Sequence, residues 1–197
     1  YNSPLTLEGL PLSDNIQAAF FQSVTTRTAG FASLPQENLK NPTAILSLLL
    51  MFIGGSPVGT AGGIKTVTAA VLLSITVSLI SGKNSVSLFG RTISKQSVYK
   101  AVAVTVMSFS VMFVSTLMLS AVTNAPALDI LFETVSATAT VGLSRSLTGA
   151  LNLLGKLIII FTMYFGRVGP ISIAIAFGGK NPSRNIIKNP TEEISIG

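Results

Sequence analysis

The sequence predicts an all-α integral membrane protein assembled from repeated units. Each unit is an outer helix, a short helix that enters the membrane and stops at a glycine turn, and a long inner helix broken near its middle. Three observations predict it. Of 197 residues, 48% are hydrophobic and only 10% charged, against about 25% charged in soluble domains. The apolar runs are rich in glycine, serine and threonine, a composition suited to close helix packing in lipid. And the two halves of the chain echo one another in order.

Residues 1–11 are polar and carry Pro4, Gly9 and Pro11, so they read as a loop. Ser13 or Asp14 is placed to cap a short helix through Ile16, Ala19, Phe20 and Val24, too short for about 30 Å of hydrocarbon. It ends at Thr28-Ala29-Gly30-Phe31, and residues 32–42 form a second loop. Residues 43–53 are apolar; the chain then breaks at Gly54-Gly55-Ser56-Pro57-Val58-Gly59-Thr60-Ala61-Gly62-Gly63, and apolar sequence resumes over 64–80. Non-helical backbone at membrane depth is tolerated only inside protein or beside water, so this break is expected to line a wet path. Residues 101–122 form the best single span. Asn124-Ala125-Pro126 ends it, residues 128–137 form a second short helix, and Thr140-Val141-Gly142-Leu143 ends that one. A last long apolar segment, 151–177, is interrupted at Gly166-Arg167-Val168-Gly169-Pro170.

The segment 81–100 carries Lys83, Arg91, Lys95 and Lys100, and the tail carries Lys180, Arg184 and Lys188. The positive-inside rule puts both in the cytoplasm. The short helices then open outward, where Glu8, Asp14, Glu37, Asp129 and Glu133 raise the local cation concentration.

The echo is specific. Phe21-Gln22-Ser23-Val24-Thr25 matches Phe132-Glu133-Thr134-Val135-Ser136 at an offset of 111 residues. Gly30 and Gly142, Met51 and Met163, and Gly54 and Gly166 are each 112 apart. The units read as 1–82, a pore repeat lacking its first helix; 83–100, a cytoplasmic loop; 101–178, a complete pore repeat; and 179–197, a cytoplasmic tail. A short helix that stops at Thr-x-Gly offers backbone carbonyls to an axis, because glycine permits the φ this needs. Rings of such carbonyls replace the hydration shell of a monovalent cation.

Other chemistries find little support. With no cysteine and no histidine, thiol nucleophiles, Cys/His zinc sites and imidazole bases are excluded. The net charge of +6 is dispersed between apolar runs, not gathered in the patch that nucleic acid requires. A phosphate-loop reading of 59–66 fails because Ile64 stands where glycine must precede Lys65. A membrane serine amidohydrolase would have only Lys65 near Ser56 as its base. A sodium-coupled carrier shares the broken helices but does not need two short helices ending in glycine.

The stretches 21–31, 54–66, 132–144, 166–170 and 190–197 together resemble the Trk/Ktr/HKT superfamily of potassium transporter membrane subunits, most closely the bacterial Ktr type. The resemblance covers nearly the whole chain and implies its C-terminal half: the third of four repeats without its first helix, and the fourth complete. It implies a potassium-channel-like pore with a selectivity filter at Thr28, Ala29, Gly30, Phe31, Thr140, Val141, Gly142 and Leu143, potassium being held by the Gly30 and Gly142 carbonyls. It implies a gating loop below the filter, with Gly54, Gly55, Ser56, Pro57, Gly59, Thr60, Gly62 and Gly63, and a pore-facing Arg167. Potassium is the cargo and no catalytic cofactor is expected. The implied partners are membrane lipid, a cytosolic nucleotide-binding regulatory ring and a second copy in a homodimer, in a multi-pass plasma-membrane protein whose C-terminus is cytoplasmic.

Overall fold

A computed structural model describes residues 6–56, 61–82, 86–88 and 90–169, whose regular elements are helices apart from one small hairpin. The elements run α1 (Leu12–Thr25), a 3-10 turn (Gln36–Asn38), α2 (Asn41–Phe52), α3 (Thr66–Ile80), β1 (Ser87–Leu88), β2 (Arg91–Thr92), α4 (Lys95–Val122), α5 (Ala127–Thr138), α6 (Leu147–Ala150) and α7 (Leu153–Val168). The hairpin pairs Ser87 with Thr92 and Leu88 with Arg91, antiparallel.

The helix starts follow local chemistry. Helix α1 begins one residue after Pro11, which makes no side-chain cap; its carbonyl accepts the amides of Asp14 and Asn15. Ser13 and Asp14, expected as caps, lie inside the first turn, where the Asp14 charge still meets the positive end of the helix dipole. Proline in the first turn of α2 gives up an amide that had no helical partner. Ser94 caps α4 by accepting the Ser97 amide, and Asn152 caps α7 by accepting the Gly155 amide at 2.8 Å. Helix α4 therefore starts six residues before the apolar run that announces it. At 28 residues it is roughly 42 Å long. It is the one helix among the described residues long and apolar enough to cross a membrane. Helices α2 and α3, of 12 and 15 residues, each fall short of the roughly 20 that a span needs.

The interruption expected over 166–170 falls toward the far end of that range. Helix α7 continues through Gly166 and Arg167 and stops at Gly169, whose φ is +86°. Gly166 serves packing instead: a Cβ there would overlap the Thr138 carbonyl oxygen at the end of α5. Pro170 and the tail lie outside the described residues.

Helix α5 is the hub, packed by α2, α4 and α7. Ile130 and every residue from Phe132 to Thr138 are buried, a helix enclosed on all sides. Phe132, Val135, Met51, Val141 and Leu143 share one apolar cluster, and Leu119, Ile130, Ile159 and Leu151 share a second. Hydroxyls close the helix seams: Thr116 meets Thr134 at 2.8 Å between α4 and α5, and Thr162 donates to Ser115 at 2.7 Å between α7 and α4. Thr134, Thr138 and Thr162 also bond carbonyls one turn back, so these buried hydroxyls carry no unmet donor. Opposite the hub, α4 presents Val106, Phe109, Phe113 and Leu117 outward, an apolar face suited to lipid.

Candidate functional site

The two Thr-x-Gly turns have the same unusual backbone. Thr28 and Gly30 have φ of +66° and +74°, and Thr140 and Gly142 have +55° and +93°. Ala29 and Val141, between them, stay at negative φ. Three successive residues alternating in handedness break the strand pattern in which neighbouring carbonyls point to opposite sides. A threonine at positive φ is a genuine outlier for a β-branched residue, and such strain concentrates at functional sites. Each turn hangs from the helix before it. The Ala29 and Gly30 amides donate to the Thr25 carbonyl, the Val141 amide donates to the Ser136 carbonyl at 2.9 Å, and the Gly142 amide donates to Ser136 Oγ.

The turns touch. A Cβ built on Gly30 would overlap the Val141 carbonyl oxygen, and one built on Gly142 would stand 3.6 Å from Gly30 Cα. Residues far apart in sequence thus bring two strained, glycine-bearing backbones into direct contact, with no room for a side chain on the Gly30 side.

The glycine-rich segment docks beneath this pair. Its ends are pinned by a parallel bridge between Ile53 and Ile64, with Gly54 N–H donating to the Ile64 carbonyl at 2.8 Å and Ile64 N–H to the Phe52 carbonyl at 3.2 Å. The returning limb reaches the second turn: Gly62 N–H donates to Thr140 Oγ1 at 2.9 Å. Side chains there would collide, since a Cβ on Gly62 would lie 2.7 Å from Thr140 Cγ2, and one on Gly63 3.2 Å from Ala139 Cβ. Gly54 and Gly62 are buried, Gly55 is half-buried and Ser56 is exposed. Pro57, Gly59 and Thr60 lie outside the described residues. Lys65 stands at the cap of α3, half-buried. Phe31 is exposed while Leu143, at the matching place, is buried. Arg167 occupies the exposed last turn of α7, where a cation suits the helix dipole, one residue beyond the Gly166 contact.

Four further residues buttress the turns, a part for which the sequence marked none of them. Glu133, expected as an outward-facing charge that gathers cations, is instead 5% exposed in α5, its carboxylate taken up by Ser144 Oγ, which donates at 2.7 Å, and by Thr148 Oγ1. Gln22, its match in α1, exchanges two hydrogen bonds with Gln36, of 2.7 and 3.0 Å. Each thus ties a short helix to the loop after its own turn. Arg145 bridges the two halves, bonding Asp129 and three carbonyls of residues 36–39. The signal for the first pair was a polar residue at the same place in two short apolar helices. Arg145 had no local signal, because its three carbonyl partners lie more than 100 residues away.

Glu133→Ala is expected to lower stability by about 1–3 kcal/mol, the loss of part-buried hydrogen bonds to a carboxylate. Glu133→Gln, which keeps an acceptor, should lose less than half of that. Thermal unfolding of the purified full-length protein checks both; an unchanged midpoint for Glu133→Ala would show that the carboxylate supports nothing.

Helices too short to span, paired backbone turns and a loop folded against one of them suit a helical membrane transport protein. The chain belongs to the TrkH family of cation transport proteins, whose sequence profile matches residues 5–189. It is similar to the Ktr system potassium uptake protein B of Bacillus subtilis (strain 168), 40% identical over 197 residues that make up 100% of this chain and 44% of that protein. It is also similar to the potassium/sodium uptake protein NtpJ of Enterococcus hirae, at 37% identity over 98% of this chain and 44% of that protein. The potassium transporter TrkH from Vibrio parahaemolyticus shares the fold, with a TM-score of 0.69 and 22% identity over 93% of this chain and 39% of that one. The chain thus spans less than half the length of these relatives.

Proposed function

We propose that this chain supplies two of the pore units of a potassium uptake protein, with a cation filter formed in part by the turns at 28–31 and 140–143. The observation that carries the reading is the direct contact of two glycine turns with matching positive-φ backbones. Backbone carbonyls presented by such turns are the chemistry that replaces a monovalent cation's water. Potassium at the Gly30 and Gly142 carbonyls, and the roles of the neighbouring filter residues, follow from that reading.

The remaining assignments rest on the family and on the relatives named above. The segment 54–63 acts as the gate, supported by its bond to Thr140. Further repeats, such as the remaining length of the relatives would supply, complete the ring, and the exposed Leu12, Ile16 and Phe20 of α1 suit burial against them. The relative's membership of a Ktr system supports a regulatory partner. That this partner is a cytosolic nucleotide-binding ring, and that the protein is a plasma-membrane homodimer, follow from the Trk/Ktr resemblance, and the cytoplasmic C-terminus from the placement of Lys and Arg.

The test is potassium uptake by the full-length protein in cells lacking their own uptake systems, with and without the regulatory ring, at varied sodium. Potassium accumulation above vector controls supports the reading. Sodium uptake alone, or flux strictly proportional to sodium, overturns it in favour of a sodium-coupled carrier.

Arg167 is proposed to raise the barrier for a passing cation. A unit charge about 4 Å away at an effective dielectric near 20 contributes on the order of 4 kcal/mol before hydration. Arg167→Gln is expected to raise maximal potassium flux severalfold and leave selectivity intact, while Arg167→Lys stays near wild type because the charge remains. If both variants match wild type at equal expression, the residue is no barrier.

A further inference from the structure

Arg145 follows the second glycine turn by three residues, yet most of its bonds go to the other half of the chain. Its Nε donates to Asp129 Oδ1 at 2.7 Å. One terminal nitrogen donates to the Gln36 and Leu39 carbonyls at 3.0 and 3.2 Å, and the other to the Glu37 carbonyl at 3.2 Å. Its carbon lies 6.0 Å from the centre of the Phe132 ring. The side chain is only 10% exposed; its bonds to Asp129, Gln36 and Leu39 are part-buried and the one to Glu37 is exposed.

The carbonyls it grips are anchored in turn. Gln36 is 2% exposed and locked to Gln22 of α1 by two hydrogen bonds. Thr25, in the same helix, donates to the Phe31 carbonyl at 2.6 Å, at the end of the first turn. A continuous path therefore runs from the first turn through α1, Gln36 and Arg145 to Asp129 on α5, the helix that carries the second turn. Gly30 and Val141 meet backbone to backbone, an apposition with no hydrogen bond of its own among the described residues. Carbonyl dipoles gathered around a cation repel one another, so their spacing must be held from outside.

We infer that Arg145 is a positioning residue that fixes the spacing of the two glycine turns and through it the discrimination among monovalent cations. This rests on the filter reading above. A planar fork reaching three carbonyls and one carboxylate is work that only arginine's donor geometry performs. Lysine keeps the charge and the Asp129 contact but not the three-carbonyl grip.

The experiment uses the full-length protein in potassium-uptake-deficient cells and compares initial potassium and sodium uptake at matched membrane expression. Arg145→Ala is expected to lower the potassium-to-sodium ratio by roughly threefold to thirtyfold, the range for a residue acting through others. Arg145→Lys should fall between Ala and wild type. A merely structural lesion would reduce both fluxes in proportion and leave the ratio unchanged, and that result overturns the proposal. If Arg145→Ala fails to reach the membrane, Arg145→Lys decides: a lowered ratio supports the clamp and a wild-type ratio sinks it. Failure of the wild-type protein to take up potassium would instead refute the pore reading on which the clamp rests.

Discussion

Gly30→Ala in the full-length protein is expected to abolish potassium uptake, and Gly142→Ser is expected to spare uptake while blurring its selectivity. The contrast comes from what surrounds each α-carbon. At φ +74° a side chain costs about 1–2 kcal/mol. The alanine methyl would also overlap the Val141 carbonyl oxygen, a backbone atom in a residue only 3% exposed and packed in the core. Neither turn can yield without losing the other's position. A combined disturbance of about 3 kcal/mol corresponds to on the order of a hundredfold. Gly142 has φ +93°, but its nearest neighbour, Gly30 Cα, would sit at 3.6 Å, ordinary van der Waals contact. Serine fits there with conformational strain only, so the turn persists with altered carbonyl directions. The potassium-to-sodium ratio should then fall on the order of tenfold, equivalent to about 1.4 kcal/mol. Uptake of each ion at matched expression measures both effects. Wild-type uptake by Gly30→Ala, or wild-type selectivity in Gly142→Ser, removes that glycine from the filter.

The sequence showed the turns but not their strain. Glycine marks Gly30 and Gly142 because few other residues turn a chain that way, and the glycines of 54–63 mark a break for the same reason. Thr28 and Thr140 gave no such mark. Threonine ordinarily avoids positive φ, and only the surrounding fold reveals that it adopts it here. Gly166 misled, since a glycine in an apolar helix reads as a break. Here it is the gap through which α7 approaches the Thr138 carbonyl, and the helix ends two residues later, at Val168. The start of α4 was legible in Ser94, a good cap, but the polar residues after it hid the first turn and a half. The turn at 36–38, the four-residue α6 and the two-residue strands are too short for any periodic signal. The grip of Arg145 on residues 36–39 depends on tertiary contact, so no reading of a local stretch reveals it.

The loop gives the other large expected effect, because its contact with the second turn is tight enough to be broken by one methyl group. Gly62→Ala would place a carbon 2.7 Å from Thr140 Cγ2, 2.8 Å from Oγ1 and 3.1 Å from the Ala139 carbonyl. Ala139 is fully buried and Thr140 is held in the turn, so the loop must give way rather than the helix end. Displacing it also loses the bond from Gly62 N–H to Thr140 Oγ1. If the docked loop obstructs the path, Gly62→Ala is expected to raise potassium flux in the absence of the regulatory ring on the order of tenfold, equivalent to about 1.4 kcal/mol. Thr140→Val separates the two contributions. It keeps the β-branched shape at φ +55° but removes the acceptor, a loss of about 0.5–1.5 kcal/mol, so its gain in flux should be smaller than that of Gly62→Ala. Selectivity should hold in Gly62→Ala, since Gly30 and Gly142 keep their contact. Flux with and without the ring, measured beside the potassium-to-sodium ratio, reads both predictions. A fall in flux for both variants, with selectivity intact, means that the docked loop supports conduction and is not the barrier. A lost ratio in Gly62→Ala would mean that the loop shapes the filter itself.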